Sequence, residues 1–373
     1  MRNLPVKDGA EQHSATASKR RSLLTRLVSQ SRRGRVGSYA FYAREFIRST
    51  TPRKLANLVA IKVQHRLRCE RVMGMPVTYF IDPINVCNLR CPLCPTGRGV
   101  LARPPGRMAL DDLRQVVDEI APYAYRIELY NWGEPLLHPD IYEMIQYVSQ
   151  SGISVGLSSN LNRLDAKMAR RLVESGLSHL VVSIDGVTQE SYATYRRQGQ
   201  LDRVLSNLQL LLETRNELES RTPFIVWRML VGKHNEHEVE AVRKTAYQMG
   251  VNAFATSVLF IDTADPEQIE EWLPTDPAYS PYDYEDRTPS NQWDCHDLWE
   301  SMVINWDGGV APCCWLHDPQ FDFANLSEQS VRQIWNGPHY LSARRVIGKR
   351  KGKPDDVATI CHRCRGQPSY MEY

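Results

Sequence analysis

Residues 77–95 read Val-Thr-Tyr-Phe-Ile-Asp-Pro-Ile-Asn-Val-Cys-Asn-Leu-Arg-Cys-Pro-Leu-Cys-Pro. The first part, Val77–Pro83, is a short run rich in β-branched and aromatic residues, which is typical of a buried strand. It leads into a loop that carries Cys87, Cys91 and Cys94. Three thiols so close together in a Pro- and Asn-rich loop indicate a metal or cluster site rather than core packing.

A regular alternation of strand and helix patterns follows this loop. Strands are predicted at Val77–Pro83, Arg126–Asn131, Ile153–Ser159, His179–Asp185, Phe224–Val231 and Ala253–Val258. Helices are predicted between them at Leu110–Pro122, Pro139–Ser151, Asp165–Ser175, Leu201–Leu218 and His234–Met249. Such an alternation forms βαβ units around a parallel sheet. We therefore predict an α/β fold, an open or closed barrel of six units, with function at the carboxyl ends of its strands.

Polar motifs stand at those carboxyl ends. Asn131-Trp-Gly-Glu-Pro135 follows the second predicted strand, Ser158-Ser-Asn160 ends the third, and Ser183-Ile-Asp-Gly186 ends the fourth. Because the carboxyl ends of parallel strands share one edge of the sheet, we expect these motifs to lie beside the cysteine loop.

The cysteines form two sets. Cys87-x3-Cys91-x2-Cys94 offers three soft ligands for an iron–sulfur cluster or zinc, and the missing fourth ligand leaves a position open. The second set is complete, and its ligand count suits either closed zinc or a fully ligated [4Fe–4S] cluster: Cys295, Cys313, Cys361 and Cys364. Cys314 and Cys69 are left over, and we interpret Cys314 as a buried neighbour rather than a working thiol.

The cysteine spacing and its neighbouring motifs resemble the signature of radical S-adenosylmethionine (SAM) enzymes over roughly residues 77–370. Gly133, Glu134 and Pro135 resemble the family's Gly-Gly-Glu-Pro motif, which contacts the methionine amino group, although Asn131 and Trp132 replace the usual leading residues. The resemblance implies a partial (β/α)6 TIM-like barrel whose first three cysteines hold a SAM-binding [4Fe–4S] cluster.

Further SAM contacts are implied by the same resemblance. The family's ribose- and carboxylate-contacting element is similar to Ser158, Ser159 and Asn160. Its fourth-strand segment is similar to Ser183, Asp185 and either Arg196 or Arg197. At Leu93 many members place an aromatic residue against the adenine, so this chain departs from the pattern there.

The C-terminal cysteines, with Gly308 before Cys313, resemble the opening of the SPASM auxiliary-cluster domain. No cysteine follows Cys364, so the segment is similar to the shortened "twitch" form, which carries one auxiliary [4Fe–4S] cluster. The resemblance therefore favours a cluster over zinc at the second set.

The resemblance implies reductive cleavage of SAM and hydrogen abstraction by the 5′-deoxyadenosyl radical. The spacing is similar to that of aminocyclitol dehydrogenases of the 2-deoxy-scyllo-inosamine type and of sugar epimerases. We expect oxidation of a carbinol carbon of a sugar or aminocyclitol, with the auxiliary cluster accepting an electron and a flavodoxin- or ferredoxin-type donor. Alternatives are redox-neutral epimerisation with Cys314 as catalytic hydrogen donor, peptide maturation, and a zinc- or cluster-bearing binding protein without enzymatic activity.

Composition and hydropathy limit the classes of protein to which the chain can belong. The chain is 42% hydrophobic and 24% charged over 373 residues, which fits a globular protein. No apolar run reaches about 18 residues, so no membrane-spanning helix is predicted, and no secretory signal is visible. Oxygen-labile clusters fit the reducing cytoplasm, which is the predicted location.

The basic charge is confined to the N-terminus. Residues 1–75 hold 17 Lys and Arg against 4 Asp and Glu, whereas the remainder is acidic. Residues 1–17 are expected to be disordered; from Ser18 onwards, and again over Tyr39–Arg68 with a break at Pro52, the pattern predicts basic amphipathic helices. We expect them to pack on the main body, or else to contact a membrane surface or polyanion through residues 18–68. No nucleic acid is expected.

Four segments are predicted: a basic extension (1–75), the barrel (76–260), a linker or excursion (261–292) and the auxiliary-cluster domain (293–373). Residues at the ends of the last strands and in the excursion are candidates for substrate contact, namely Arg228, Asp262 and Asp265.

Overall fold

A computed structural model describes residues 32–259, 261–262, 265–280, 295–349 and 356–364. Within these residues nine strands form one sheet, in the order β6-β5-β4-β3-β2-β1-β7-β8-β9. The strands are β1 (Thr78–Ile81), β2 (Arg126–Glu128), β3 (Ser154–Ser159), β4 (His179–Ser183), β5 (Phe224–Val231), β6 (Ala253–Val258), β7 (Ser301–Ile304), β8 (Gly309–Ala311) and β9 (Ala324–Asn325). Strands β1 to β6 are parallel and follow chain order, which confirms the predicted α/β fold.

Helices connect the parallel strands. The helices are α1 (Arg32–Ser49), α2 (Pro52–Arg66), α3 (Pro95–Arg98), α4 (Leu110–Ile120), α5 (Ile141–Gln150), α6 (Ala166–Glu174), α7 (Gln189–Tyr195), α8 (Leu201–Glu217), α9 (Val239–Met249), α10 (Pro266–Trp272), α11 (Asp297–Glu300), α12 (Val331–Trp335) and α13 (Pro338–Ile347). All five predicted crossover helices are present, each a few residues shorter than its pattern, because capping and turn residues at the ends leave the helical ladder.

The two faces of the parallel sheet differ in polarity. Successive strand side chains point to opposite faces. In β3, Val155 and Leu157 are buried in the large apolar core beside the helices. Ser158 lies on the other face, where it accepts a hydrogen bond from Arg228 of β5. The inner face is therefore polar around Ser158 and Arg228 and apolar near the start of β5, where Phe224 and Val226 pack against Phe41, and the outer face holds most of the core.

Helix α1 packs at the amino ends of β4 and β5. Phe41 stacks on Phe224, the first residue of β5, with ring centroids 4.5 Å apart. Tyr42 meets His179, the first residue of β4, edge to face. The predicted break at Pro52 is present, because Thr51 caps α2 and proline takes its first position. The helix predicted from Ser18 lies outside the described residues.

The C-terminal segment extends the sheet, which the sequence analysis did not predict. β7 pairs in parallel with β1, so that Tyr79 lies opposite Met302, and β8 and β9 follow antiparallel. All four residues of β7 are buried. The barrel sheet and the C-terminal strands therefore share one hydrogen-bonded ladder.

The predicted excursion is partly helical. Asp265 caps α10 by accepting hydrogen bonds from the amides of Glu267 and Gln268, and Trp272 is buried against Tyr195. Proline at its first turn and the Asp cap start a helix within an otherwise acidic, proline-rich segment. Within the described residues, no helix is both long and apolar enough to cross a bilayer.

Candidate cofactor site at the carboxyl ends of the strands

The loop after β1 places three thiols in one buried pocket. Cys87, Cys91 and Cys94 interact electrostatically with one another. Burial, reinforced by the neighbouring thiols, raises the pKa of Cys87 to about 12, and burial also raises that of Cys91 to about 11. Gly97 makes the fold of this loop possible, since a Cβ there would lie 2.4 Å from the carbonyl oxygen of Cys91. The pocket therefore holds three soft donors, and burial favours the protonated forms of Cys87 and Cys91.

Glu134 joins this pocket to the end of β3. Its carboxylate accepts hydrogen bonds from Ser159 Oγ (2.8 Å), from the Asn160 amide (2.8 Å) and from the Leu136 amide (3.2 Å). Burial raises its pKa, and these bonds oppose that shift. The Asn160 side-chain amide lies 3.7 Å from Cys87 Sγ. Three of the predicted site elements thus form one hydrogen-bonded cluster.

The Gly-Glu-Pro sequence has a steric basis. A Cβ on Gly133 would lie 1.8 Å from the carbonyl oxygen of Ile84, so only glycine lets this turn approach the cysteine loop. The amide of Glu134 donates to the carbonyl of Val86 at 2.9 Å, next to Cys87. Pro135 then opens a short 3-10 helix.

The end of β4 supplies a buried ion pair. Arg196 Nε donates to Asp185 Oδ2 at 2.6 Å, and Arg196 Nη1 lies 4.0 Å from Cys91 Sγ. Its Nη2 is buried with no hydrogen-bond partner among the described residues. The neighbouring Arg197 is exposed and holds the loop only through its backbone, whose carbonyl accepts from the Arg90 amide. The structure thus places Arg196, not Arg197, in the site.

The two serines at the end of β3 serve different faces. Ser159 bonds Glu134, whereas Ser158 faces the barrel interior together with Ser183. Arg228 Nη2 lies 3.2 Å from both Ser158 Oγ and Ser183 Oγ. Strand alternation makes these directions opposite. The motif Ser158-Ser159-Asn160 is therefore split between the cysteine pocket and the interior.

The inner face also carries a network of charged residues that the sequence patterns did not lead us to predict. Glu128 forms ion pairs with Arg126, whose Nε lies 3.0 Å from Oε1, and with His179, whose Nε2 lies 3.2 Å from Oε2. Arg228 lies further along the interior, near Tyr130, and its Nε has no partner in the described part of the chain. Charged residues at alternate positions of a predicted strand, as at Arg126 and Glu128, were the available signal.

The second cysteine set also converges. Cys295 interacts electrostatically with Cys361 and Cys364, and Cys313 interacts with Cys361. All four thiols are strongly buried or packed against the small core around β7 and β8. Cys314 faces Tyr130, and burial raises the Cys314 pKa to about 12.

Neither set is arranged around a point that suits one ion. Among the described residues, no three His, Cys, Asp or Glu side chains meet as the ligands of a single metal do. A four-iron cluster is larger than one ion and separates its thiolates more widely. The assignment of a cluster to each set therefore depends on the type and number of its donor atoms, three thiols in one set and four in the other.

Trp132 connects the loops that bear the two cysteine sets. Thr96 Oγ1, two residues after Cys94, donates to the Trp132 carbonyl at 2.7 Å. Trp132 Nε1 donates to the carbonyl of Leu316 at 3.3 Å, and the indole meets His317 edge to face. Asn131, with its amide oriented to satisfy both neighbours, donates to the Cys314 carbonyl at 3.2 Å. The residues that depart from the family pattern are thus those that bridge the sets.

Comparison with known proteins agrees with this geometry. The family model of the radical SAM superfamily matches residues 81–246, and that of the SPASM iron–sulfur cluster-binding domain matches residues 295–365. The chain is a radical SAM enzyme with a SPASM domain. Its cofactors are SAM and two [4Fe–4S] clusters, as predicted.

Its relatives act in different pathways. The AdoMet-dependent heme synthase of Methanosarcina barkeri is 28% identical over 75% of this chain and 88% of its own. The mycofactocin maturase MftC of Mycobacterium tuberculosis is 28% identical over 38% of this chain and 36% of its own. In structure, Streptococcus suis SuiB bound to its precursor peptide SuiA is similar, with a TM-score of 0.55 and 13% identity over 74% of this chain and 68% of SuiB. This last likeness concerns the fold alone.

Proposed function

We propose that Cys87, Cys91 and Cys94 hold the SAM-binding cluster of this radical SAM enzyme. Three buried thiols with mutual repulsion match a cluster that keeps one iron open for SAM. The donor set fits because metal binding would replace protons that burial retains on the thiols. Arg196 lies beside these thiols, with its Nη1 4.0 Å from Cys91 Sγ, and Glu134 is joined to them through Asn160.

Glu134 and Arg196 would orient SAM. Glu134 is an anion held by three hydrogen bonds and suits the SAM ammonium. Arg196 Nη2 is a buried, unpartnered donor within the described site and suits the SAM carboxylate. The other contacts that we assign to SAM come from Gly133, Pro135, Ser158, Ser159, Asn160, Ser183 and Asp185. Asp185 would act by fixing Arg196.

The auxiliary cluster would be held by Cys295, Cys313, Cys361 and Cys364. Four cysteines leave no iron open for substrate. When bound, SAM and the clusters supply a radical that removes a hydrogen atom from the substrate and a site that accepts one electron. The chain's own task is to exclude water and to hold the substrate between these two centres.

We infer that the substrate is oxidised at a carbinol carbon of a sugar or aminocyclitol. The observation that supports this is the polar barrel interior, where Tyr130 and Arg228 lie beside the serines assigned to SAM and offer hydrogen bonds to a substrate. Hydroxyl-rich substrates suit such a lining. Loss of a hydrogen atom, an electron and a proton gives a ketone, and an adjacent electron acceptor suits that sequence.

Epimerisation is the second candidate, and Cys314 favours it. Burial keeps this thiol protonated, and Cys314 lies near Tyr130 of the interior. A protonated thiol can return a hydrogen atom to a substrate radical. Peptide maturation remains a third alternative and is supported by the partial likeness to the mycofactocin maturase.

The first experiment is anaerobic reconstitution followed by assay with SAM and a flavodoxin or ferredoxin system. We expect about eight irons and no zinc per chain, and 5′-deoxyadenosine formation. Sugars and aminocyclitols are then screened by mass spectrometry. A product two mass units lighter supports oxidation, whereas a product of unchanged mass in H2O that becomes one unit heavier in D2O supports epimerisation. Four irons with one zinc would contradict the auxiliary-cluster assignment.

A further inference from the structure

Helix α2 presents mostly polar side chains to the protein, unlike an ordinary surface helix. Lys54, Asn57 and Gln64 are buried there together with one apolar residue, Ile61. Lys54 Nζ donates to the carbonyl of Gly152 at 2.8 Å. Asn57 exchanges two hydrogen bonds with the backbone of Met75, at 2.9 and 2.8 Å. These polar anchors and Ile61 fix the orientation of the helix, so its other large apolar residues stay on the outside.

The opposite side of α2 is apolar and exposed. Leu55, Val59, Val63 and Leu67 recur every fourth residue and form one row, which we call the outward face; they are 46%, 56%, 51% and 62% exposed. Eight of the ten large exposed hydrophobic residues in the described part of the chain lie between Tyr39 and Met73. Such a concentration marks an interaction surface rather than scattered surface hydrophobes.

The charge around the outward face is positive. Residues 32–75 contain 11 Lys and Arg against 2 Asp and Glu. One of the two acids, Glu45, is buried and paired with Arg48. Arg53 and Arg66 are exposed at the two ends of α2. An apolar row with basic neighbours complements an anionic surface that has an apolar interior.

We propose that the outward face docks onto an anionic phospholipid membrane. The aliphatic row enters the boundary between headgroups and acyl chains, and Arg66 meets lipid phosphates, whereas Arg53 is held over the Tyr123 ring, 4.7 Å from its centroid. Aliphatic side chains form no directional bonds, so a row of them can pack against fluid lipid chains. Although Arg68, next to Leu67, donates to the carbonyl of Cys295, the outward face itself contains no cysteine, and the proposal does not depend on the substrate proposed above.

The test is sedimentation of the full reconstituted chain with large vesicles. Vesicles of equal parts phosphatidylglycerol and phosphatidylcholine are compared with pure phosphatidylcholine, at low salt and at about 0.5 M NaCl. We expect binding to the anionic vesicles at low salt only. Leu55→Ser/Val59→Ser/Val63→Ser should weaken the partition at least tenfold, whereas Leu55→Val/Val59→Leu/Val63→Leu should retain it. Formation of 5′-deoxyadenosine in each variant checks that the barrel is intact.

Three results would overturn the proposal. The full chain does not sediment with anionic vesicles, or the triple serine variant binds as the parent does. In the third case, light scattering shows that the parent is a dimer and that the triple serine variant is a monomer, which would make the outward face an interface between two copies.

Discussion

Trp132 Nε1 donates to the carbonyl oxygen of Leu316 at 3.3 Å, and this bond ties the Gly-Glu-Pro turn to the loop that follows Cys313. The Trp132 carbonyl accepts from Thr96 on the other side. One residue therefore sets the spacing between the loops of both proposed clusters. The tryptophan that departs from the family motif is explained by this bridge.

Trp132→Phe should alter the auxiliary cluster without emptying either site. The ring remains, and only the indole donor is lost, which costs about 1 kcal/mol. We expect unchanged iron content, a shifted potential or EPR signature of the auxiliary cluster, and 5′-deoxyadenosine formed without a matching amount of product. The matched control is Trp335→Phe, which removes an indole bond to the carbonyl of Gly74 at 2.9 Å and should lower stability alone. Identical spectra for Trp132→Phe and the parent would contradict an effect of this hydrogen bond on the auxiliary cluster.

Gly133→Ala should abolish SAM binding. Its Cβ would collide with the carbonyl of Ile84, so the turn that presents Glu134 must move. Equilibrium binding of SAM to the reconstituted chain measures the effect, and we expect at least a hundredfold loss. Gly37→Ala is the control, because nothing lies within 4 Å of that Cβ and alanine favours the helix. Retained affinity in Gly133→Ala would show that the turn does not set the SAM site.

Arg228→Met should impair substrate binding without loss of stability. Burial lowers the pKa of this guanidinium, and its Nε has no partner in the described structure. Arg228 Nη2 donates to Ser158 and Ser183, but within the described residues this buried cation has no ion-pair partner, so an apolar replacement is expected to be neutral or stabilising. We expect an unchanged or higher melting temperature, with a raised KM in the proposed reaction. Arg344→Met should instead destabilise by about 1–3 kcal/mol, because Arg344 holds the carbonyls of Leu298 and Glu70.

Glu128 should make the free energy of unfolding decrease at acidic pH. Burial raises its pKa, but His179 and Arg126 outweigh burial and lower it from 4.5 to about 2. A depressed pKa contributes stability above the unfolded value, and that contribution disappears as the pH falls from about 4.5 through 2. The shift corresponds to about 3 kcal/mol. Denaturant unfolding of the parent and Glu128→Gln should differ most near pH 6 and converge towards pH 2; a constant difference would contradict the ion-pair account.

Cys314→Ala separates the two candidate reactions. The thiol is outside both proposed ligand sets, so iron content and 5′-deoxyadenosine formation should be unchanged. If the chain oxidises its substrate, ketone formation should persist within a few-fold. Loss of product in Cys314→Ala, with oxidised by-product appearing instead, would identify Cys314 as the hydrogen donor of an epimerase.

Much of the barrel was predictable because its signals are local. Strands β5 and β6 match their predicted bounds, and every crossover helix lies within its pattern. Apolar period and turn residues act over a few positions, which a sequence displays directly. The spacing of Cys87, Cys91 and Cys94 likewise indicated a cluster site without knowledge of the fold.

The sequence by itself determined the strand–helix alternation, both cysteine sets and the family resemblance, since each depends on residues near one another along the chain. Only the tertiary structure decided that β7 pairs with β1, that Arg196 rather than Arg197 enters the site, and that Trp132 bridges the two cysteine loops. These are contacts between distant segments. Their energies depend on which side chains the fold brings within hydrogen-bonding distance, and no local pattern records that.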